Sequence, residues 1–599
     1  MDMIKGIGVS PGISIGKARV LRPTRVEVTG LLLSGEAEEN REINRYREAV
    51  KASVAEVRAL IAGAVSGEAG MFSGEADLVS GEADAASGIA AAGAAAHDWD
   101  LLEVHMELMA DPQMESDVVG KITRDKKNAH DALLEVTRDT ALLFAQMPDE
   151  YMRERAADVR DAGNRILKHL QKTEPETRLA FEPGTILIAE DLSPSDTILL
   201  DTTHIAGFAT RAGGRTSHTA IVARSRGIPA IVGCGEELEV VTDNDLLLID
   251  GETGQLFINP DRDTMKGYAV KQQTLTEQSV RFRLLKDQPA TTTDGTSVRL
   301  LANISGEEDM AGVLTYGGEG VGLLRTELLF MKRTSFPDEE EQFRFYRKIV
   351  QKAKGRPVTI RTLDVGGDKP LPYFPLPVEQ NPFLGYRAIR ISLDRKDLFR
   401  TQLRAILRAS ALGKVRILYP MISGVQELRA AAVLLEEAKA ELSKERISFD
   451  QQIETGIMIE TPSAAMTADI LAKETDFFSI GTNDLCQYTL AVDRLNPRIT
   501  DLYDPFHPGV LRLIRYVIEQ AHAHHIHVGM CGEMASDPLA TLLLLGMGLD
   551  EFSVNAPAIP SIKDIITRTS ASAARSVFLR VMEMDHSGPI LSYLQEVTP

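Results

Sequence analysis

The chain has 599 residues, 44% of them hydrophobic, with 66 Lys and Arg against 86 Asp and Glu and a formal charge of −20. Several domains are expected at roughly 100–200 residues each, and the acidic balance argues against a nucleic-acid surface, which needs clustered cations to displace phosphate counterions. Cys234, Cys486 and Cys531 are too few to pair fully and have no metal-ligand spacing, and no apolar run approaches 18 residues, so a cytoplasmic, soluble protein without membrane contact is expected.

Residues 1–33 alternate short apolar runs with Gly and Pro, as in IGVSPGISIGKARVL, and predict strands joined by turns. Residues 36–64 and 101–174 are rich in Ala, Leu, Glu and Arg, with apolar residues three and four apart, which predicts a helical hairpin or bundle. Strand signals return from residue 176, in TILIAEDL, HIAGFATRAGG, IPAIVG and LLLIDGETGQLFINP. The expected arrangement is an α/β domain made of residues 1–33 and 176–260, with a helical subdomain inserted at 34–175.

Inside that insert, residues 66–93 read as four tandem heptads with Gly67, Gly74, Gly81 and Gly88 at one phase. Glycine costs a helix interior about 1 kcal/mol each, and the apolar positions are too sparse for a coiled-coil seam. A loop or a frayed helix extension is expected; an added docking surface is the alternative, and nothing in the residue types suggests catalysis.

The stretch GGRTSHTAIVARSRGIPAIVG, residues 213–233, has His218 at its centre. Two glycines permit a tight turn, Arg215, Thr216 and Ser217 supply donors, and the following apolar run has helical spacing. An imidazole is thereby expected at a helix N-terminus, where free N–H groups and the helix dipole favour an anion. Two roles fit this pattern: a structural histidine capping the helix, or a histidine that carries a phosphoryl group.

Residues 261–290 are polar and helix-forming, and predict a linker helix. Beyond them, apolar strand candidates occur at 300–304, 320–327, 358–367, 415–422, 456–462, 477–484, 527–533 and 551–555, most of them separated by amphipathic helical stretches. Eight such strands in about 250 residues predict a (β/α)₈ TIM barrel over 291–599, whose active site would lie at the C-terminal strand ends. Those ends carry Asn303, Arg325 with Glu327, Arg361 with Asp364, Glu460, Asn483 with Asp484, Cys531 with Glu533, and Asn555.

Arg325, Arg361 and Arg494 suit bidentate grip on a small, multiply charged anion. Glu460 and Asp484, on adjacent predicted strands, together offer hard oxygen ligands for Mg²⁺; taken alone, each reads rather as a cap of the following helix. Asn483 adds a neutral donor. Cys531, between glycines in GMCGE, is expected to expose a protonated thiol able to act as an acid, with a small core residue as the other reading.

Residues 213–233 resemble the phosphohistidine signature of the phosphoenolpyruvate (PEP)-utilising enzymes. GGEGVGLLRTELLFM, RTLDVGGDK, QNPFLGYRAIR, LRAILRAS, IETPSAA, FFSIGTNDLCQYTLAVDR, GMCGE, LLLLGMGLDEFSVN and ERAADVRDAGNRIL extend the resemblance over nearly the whole chain, to the enzyme I family of the bacterial sugar phosphotransferase system. The related dikinase and synthase families carry a further ATP-binding domain, for which this chain has no glycine-rich nucleotide loop. The resemblance implies a barrel that binds PEP with Arg325, Arg361, Asn483, Asp484 and Arg494, with Mg²⁺ on Glu460 and Asp484. It further implies His218 as the phosphorylated nucleophile, Thr197 as its orienting residue and Cys531 as the acid that protonates the enolate. The implied partners are an HPr carrier protein, docked on the helical subdomain that the repeat interrupts, and a second copy of the chain through the barrel. On this reading residues 261–290 act as a hinge, because a histidine in the N-terminal domain must meet a ligand in the barrel. Two other classes stay open: a regulatory protein that senses PEP without turnover, and a barrel lyase or aldolase with a scaffold domain. The joint presence of His218, Glu460, Asp484 and Cys531 weighs against both.

Overall fold

The structure, a computed structural model, describes residues 2–21, 28–70, 105–146, 150–171, 181–192, 204–214, 217–331, 333–367, 371–377, 379–496 and 498–599. The chain divides into two compact units, Met1–Glu277 and Gln278–Pro599. The helix Arg262–Leu285, within the expected linker, carries the division and buries none of its described residues.

In the first unit eight strands form one sheet, in the spatial order Asp2–Lys5, Gln255–Ile258, Leu246–Asp250, Ile13–Leu21, Thr185–Ala189, Ile205–Thr210, Ala230–Val232 and Ile7–Ser10. The four from Ile13–Leu21 to Ala230–Val232 run parallel, and the outer pairings are antiparallel. Runs such as TILIA are buried at each position, as expected for strands covered on both faces. Between the neighbouring strands Ile13–Leu21 and Thr185–Ala189 the chain leaves the sheet and forms the helices Glu36–Gly70, Pro112–Arg124, Ala129–Ala145 and Glu150–Leu170. Their apolar stripes meet in a core that includes Tyr46, Val57, Val118, Ile122, Leu133 and Ile166. The backbone of the helix Glu36–Gly70 includes the first five repeat residues, 66–70; residues 71–93 lie outside the described residues.

One carboxylate ties the start of the helical insert to its interior. Asp131 accepts hydrogen bonds from Thr29 N (2.8 Å), Thr29 Oγ1 (2.8 Å), Gly30 N (2.9 Å) and Asn128 Nδ2 (3.1 Å), and contacts His130 Nδ1 at 3.0 Å. Burial alone would raise its pKa, but the bonds from His130, Thr29 and Gly30 outweigh burial and bring it down to about 2.

The second unit is a closed barrel. Its parallel strands are Ser297–Ile304, Val321–Leu324, Val358–Arg361, Val415–Tyr419, Glu454–Ile459, Phe477–Ile480, His527–Met530 and Glu551–Asn555, and the first pairs with both the second and the last. The fold class expected from strand count and spacing is thus the observed one. At the N-terminal end of the barrel Arg416 fills the interior: Nη2 lies 3.0 and 3.2 Å from the Glu551 carboxylate, Nη1 is 3.0 Å from His527 Nε2, and Nε donates to Thr359 Oγ1 at 2.9 Å. The guanidinium also lies 4.9 Å from the ring centre of Phe477, which stacks on His527. Among the described residues, no helix is long and apolar enough to cross a membrane.

The Asp131 clamp gives a signed prediction. Its pKa in the folded state lies below that of the unfolded chain, so its contribution is present above about pH 4 and is lost as pH falls toward 2. Asp131→Ala should lower the thermal stability of the N-terminal unit at pH 7 and have a clearly smaller effect at pH 2.5, as read by circular dichroism melts; equal losses at both pH values would contradict the clamp.

Candidate active site

The helix His218–Arg226 begins where expected. Gly213, at φ 105°, and Gly214 turn the chain, Ser217 N donates to Gly214 O at 3.0 Å, and Ser217 Oγ accepts from Ala220 N at 3.4 Å as N-cap. His218 is therefore the first helical residue, and Gly227, at φ 65°, ends the helix. The next residue, Thr219, is buried, with its Oγ1 3.3 Å from Asp191 Oδ1 and 3.4 Å from Leu192 O, which ties the helix start to the end of the strand Thr185–Ala189. Thr197, the expected orienting residue, lies outside the described residues.

The remaining expected residues lie in the barrel unit, and the strand ends bring most of them into one chain of charges. Arg361, the last residue of its strand and 6% exposed, pairs with Glu327 and, at 3.1 Å, with Asp364. Asp364 is 3.1 Å from Arg387, Arg387 is 3.2 Å from Asp484, and Asp484 is 3.5 Å from Arg494. Acid and base thus alternate from Glu327 to Arg494, and all except Arg494 are buried. Burial works to lower the pKa of Arg361 and Arg387, but the facing carboxylates outweigh it and hold both above the ordinary arginine value. Among the described residues, Nε of Arg361 and Nε of Arg387 are buried without a hydrogen-bond acceptor, and Nη1 of Arg494 has only its 3.5 Å ion pair with Asp484, donor capacity that an anionic ligand would use.

Glu460 sits against this chain, 2% exposed, with Oε1 accepting from Met421 N at 2.6 Å. Burial first, then the charges of Asp484 and Asp364, push its pKa up to about 8 against the opposing pull of Arg361 and Arg387. A carboxylate strained in this way beside a second one is relieved by a cation. No group of three or more His, Cys, Asp or Glu that could hold a metal occurs among the described residues; an ion that takes one or two carboxylates and completes its shell with water and ligand oxygens, as Mg²⁺ does, would need only this pair.

The other expected residues are placed as follows. Arg325 is exposed just past the end of its strand, with its N–H donating to Ile304 O at 2.8 Å. Asn483, in the helix Thr482–Leu490, accepts from Glu533 N at 2.9 Å and so joins the helix that carries Asp484 to the segment after Cys531. Cys531 is buried, 4% exposed, which corrects the expectation of an accessible thiol. The flanking Gly532 does not open the site: a Cβ there would lie 1.9 Å from Thr482 Oγ1, so glycine allows two loops to pack together over the thiol. Burial raises the pKa of Cys531, against a hydrogen bond from Ser479 and the charge of Arg361, so the sulfur keeps its proton at neutral pH. The thiol sits in a small interior layer with Leu323, Leu418, Met458 and Phe477.

Arg387 was not among the residues expected from sequence, although it joins Asp364 to Asp484 and also donates to Tyr488 Oη at 3.1 Å. It lies in a loop, inside YRAIR, three residues before Arg390, and nothing in the spacing separates the buried arginine from its neighbour. Removing one member of a buried ion network leaves the others uncompensated, at about 3–5 kcal/mol. Arg387→Met should therefore destabilise the barrel by about that amount in urea unfolding; a loss below about 1 kcal/mol would mean that Asp364 and Asp484 do not depend on it.

Family models match in three places: "PEP-utilising enzyme, N-terminal" at residues 5–155, "PEP-utilising enzyme, mobile domain" at 181–254 and "PEP-utilising enzyme, PEP-binding domain" at 280–571. The phosphoenolpyruvate-protein phosphotransferase of Priestia megaterium is 45% identical over 496 residues, covering 83% of this chain and 87% of the relative. That of Haemophilus influenzae is 42% identical over 573 residues, covering 96% and 95%. That of Bacillus subtilis is 41% identical over 596 residues, covering 100% of both chains. At this identity along its whole length, the chain belongs to the phosphoenolpyruvate-protein phosphotransferase family of PEP-utilising enzymes.

Proposed function

We propose that this chain takes the phosphoryl group of PEP onto His218, releases pyruvate, and passes the group to a histidine of an HPr carrier protein in the first step of sugar uptake. The observation that carries this reading is the alternating charge chain at the barrel mouth, with its unfilled guanidinium donors and a protonated thiol close by. Arg361, Arg325 and Arg494 bind the phosphate and carboxylate, and Asn483 and Asp484 complete the binding set. Glu460 and Asp484 would hold Mg²⁺, which when bound offsets phosphate charge.

A ring nitrogen of His218 attacks phosphorus in line while the bond from phosphorus to the enol oxygen breaks. The arginines meet the charge on the equatorial oxygens. The departing enolate takes a proton at carbon, from the thiol of Cys531, and becomes pyruvate. The thiol has the protonation state for this step because burial keeps it neutral. Thr197 orients the imidazole. His218 must come to about 3 Å from the phosphorus, and the linker at 261–290 is where the chain accommodates that movement. The active form is a cytoplasmic homodimer.

Incubation with ³²P-labelled PEP and Mg²⁺ should give acid-labile phosphate on the protein with stoichiometric pyruvate, and no label in His218→Ala, which should still bind PEP. Wild-type protein that takes no label would exclude the phosphotransferase reading. Cys531→Ala should slow pyruvate formation by about 10²–10⁴-fold, the usual contribution of a positioned acid, with PEP binding unchanged.

A further inference from the structure

Behind the barrel mouth, between outer helices and strand ends, lies a buried polar chain that the mechanism above leaves without a role. Gln402, on the helix Lys396–Ser410, is 2% exposed and its side-chain amide faces the turn that follows Arg361. Its Oε1 accepts from Leu363 N at 2.9 Å. Its Nε2 is 3.5 Å from Thr326 Oγ1, and Thr326 Oγ1 donates to the carbonyl of Arg361 at 3.0 Å. One amide thus brackets Arg361, reaching its carbonyl through Thr326 and the N–H two residues on directly.

Gln402 is itself fixed from outside. Nε2 also donates to Tyr346 Oη at 3.2 Å, Tyr346 Oη donates to Gln342 Oε1 at 3.3 Å, and Gln342 Nε2 donates to Pro337 O at 3.1 Å. Gln342, Tyr346, Thr326 and Gln402 are all buried. An apolar residue of equal size at 402 would pack as well but leave the Leu363 N–H buried without an acceptor, a cost the turn can avoid only by moving. That turn carries Asp364, which holds Arg361 on one side and Arg387 on the other.

We infer that Gln402 is a positioning residue for the anion site, acting through Leu363 and Thr326 to set the path of residues 361–364 and hence the aim of Arg361. This rests on the reading of the mouth as the PEP site. A merely structural glutamine would affect melting temperature alone; a positioning residue changes ligand affinity in a protein that remains folded.

The test compares Gln402→Met, Thr326→Val and Gln402→Glu in the full chain, with Kd for PEP from calorimetry in Mg²⁺ and melting temperature from circular dichroism. Gln402→Met should weaken PEP binding by about tenfold or more, in line with an unsatisfied buried donor. Thr326→Val, a smaller change that keeps the fold should Gln402→Met not fold, should weaken binding in the same direction. Gln402→Glu keeps the acceptor for Leu363 N and, protonated in its buried site, one of the two donor hydrogens, so at pH 6 it should bind within about threefold of wild type. Affinities within twofold of wild type for the folded variants that remove either bond overturn the positioning role while wild-type labelling by PEP leaves the function standing. Wild-type protein that neither binds PEP nor takes label overturns both.

Discussion

The alternation of buried charge at the barrel mouth is the constraint around which the catalytic unit is arranged. Glu327, Arg361, Asp364, Arg387, Asp484 and Arg494 succeed one another with opposite signs, so no member is buried without a counter-charge. Such a chain adds little net stability, because desolvation consumes most of the Coulombic gain, but removing any link is costly. Its value is geometric. Guanidinium planes held by two carboxylates each have few orientations left, and the donors not engaged by those carboxylates are aimed before a ligand arrives.

That chain could not be assembled from one element. Arg361 ends a strand, Glu327 starts the short helix Glu327–Met331, Arg387 lies in a loop and Asp484 is in the first turn of Thr482–Leu490. The barrel brings these together because parallel strands place all their C-terminal ends on one rim. Glu460 lies against that chain, and burial first, then the charges of Asp484 and Asp364, raise its pKa against the pull of Arg361 and Arg387. A divalent cation held by Glu460 and Asp484 would offset the repulsion between these carboxylates.

Much of this was legible in the sequence. The strands of the barrel were readable because buried parallel strands are short continuous apolar runs with polar ends, and VTIR, VRILY and FFSI are of that kind. The helix at His218 was readable because a Gly-Gly turn, a serine cap and a terminal glycine are local signals. Arg387 was not readable, since its burial depends on where a loop is laid against Asp364 and Asp484, and nothing local records that. Whether Cys531 is an accessible thiol or a buried core residue was not decidable from the sequence for a related reason. A glycine beside a thiol suggests openness, but whether the space left by the missing side chain is empty or filled by Thr482 depends on residues about 50 positions away. Gln402 belongs to the same class: its amphipathic helix was expected, but the partners of its amide lie on two different strand ends.

The plug at the opposite end of the barrel has a consequence for traffic. With Arg416 held by Glu551, His527, Thr359 and Phe477, buried side chains occupy the N-terminal end of the barrel. A ligand at the mouth would then enter and leave by the C-terminal rim, and on the reading of Cys531 as the acid its proton would be restored from that side as well. On that reading, recharging the acid and emptying the site compete for one approach.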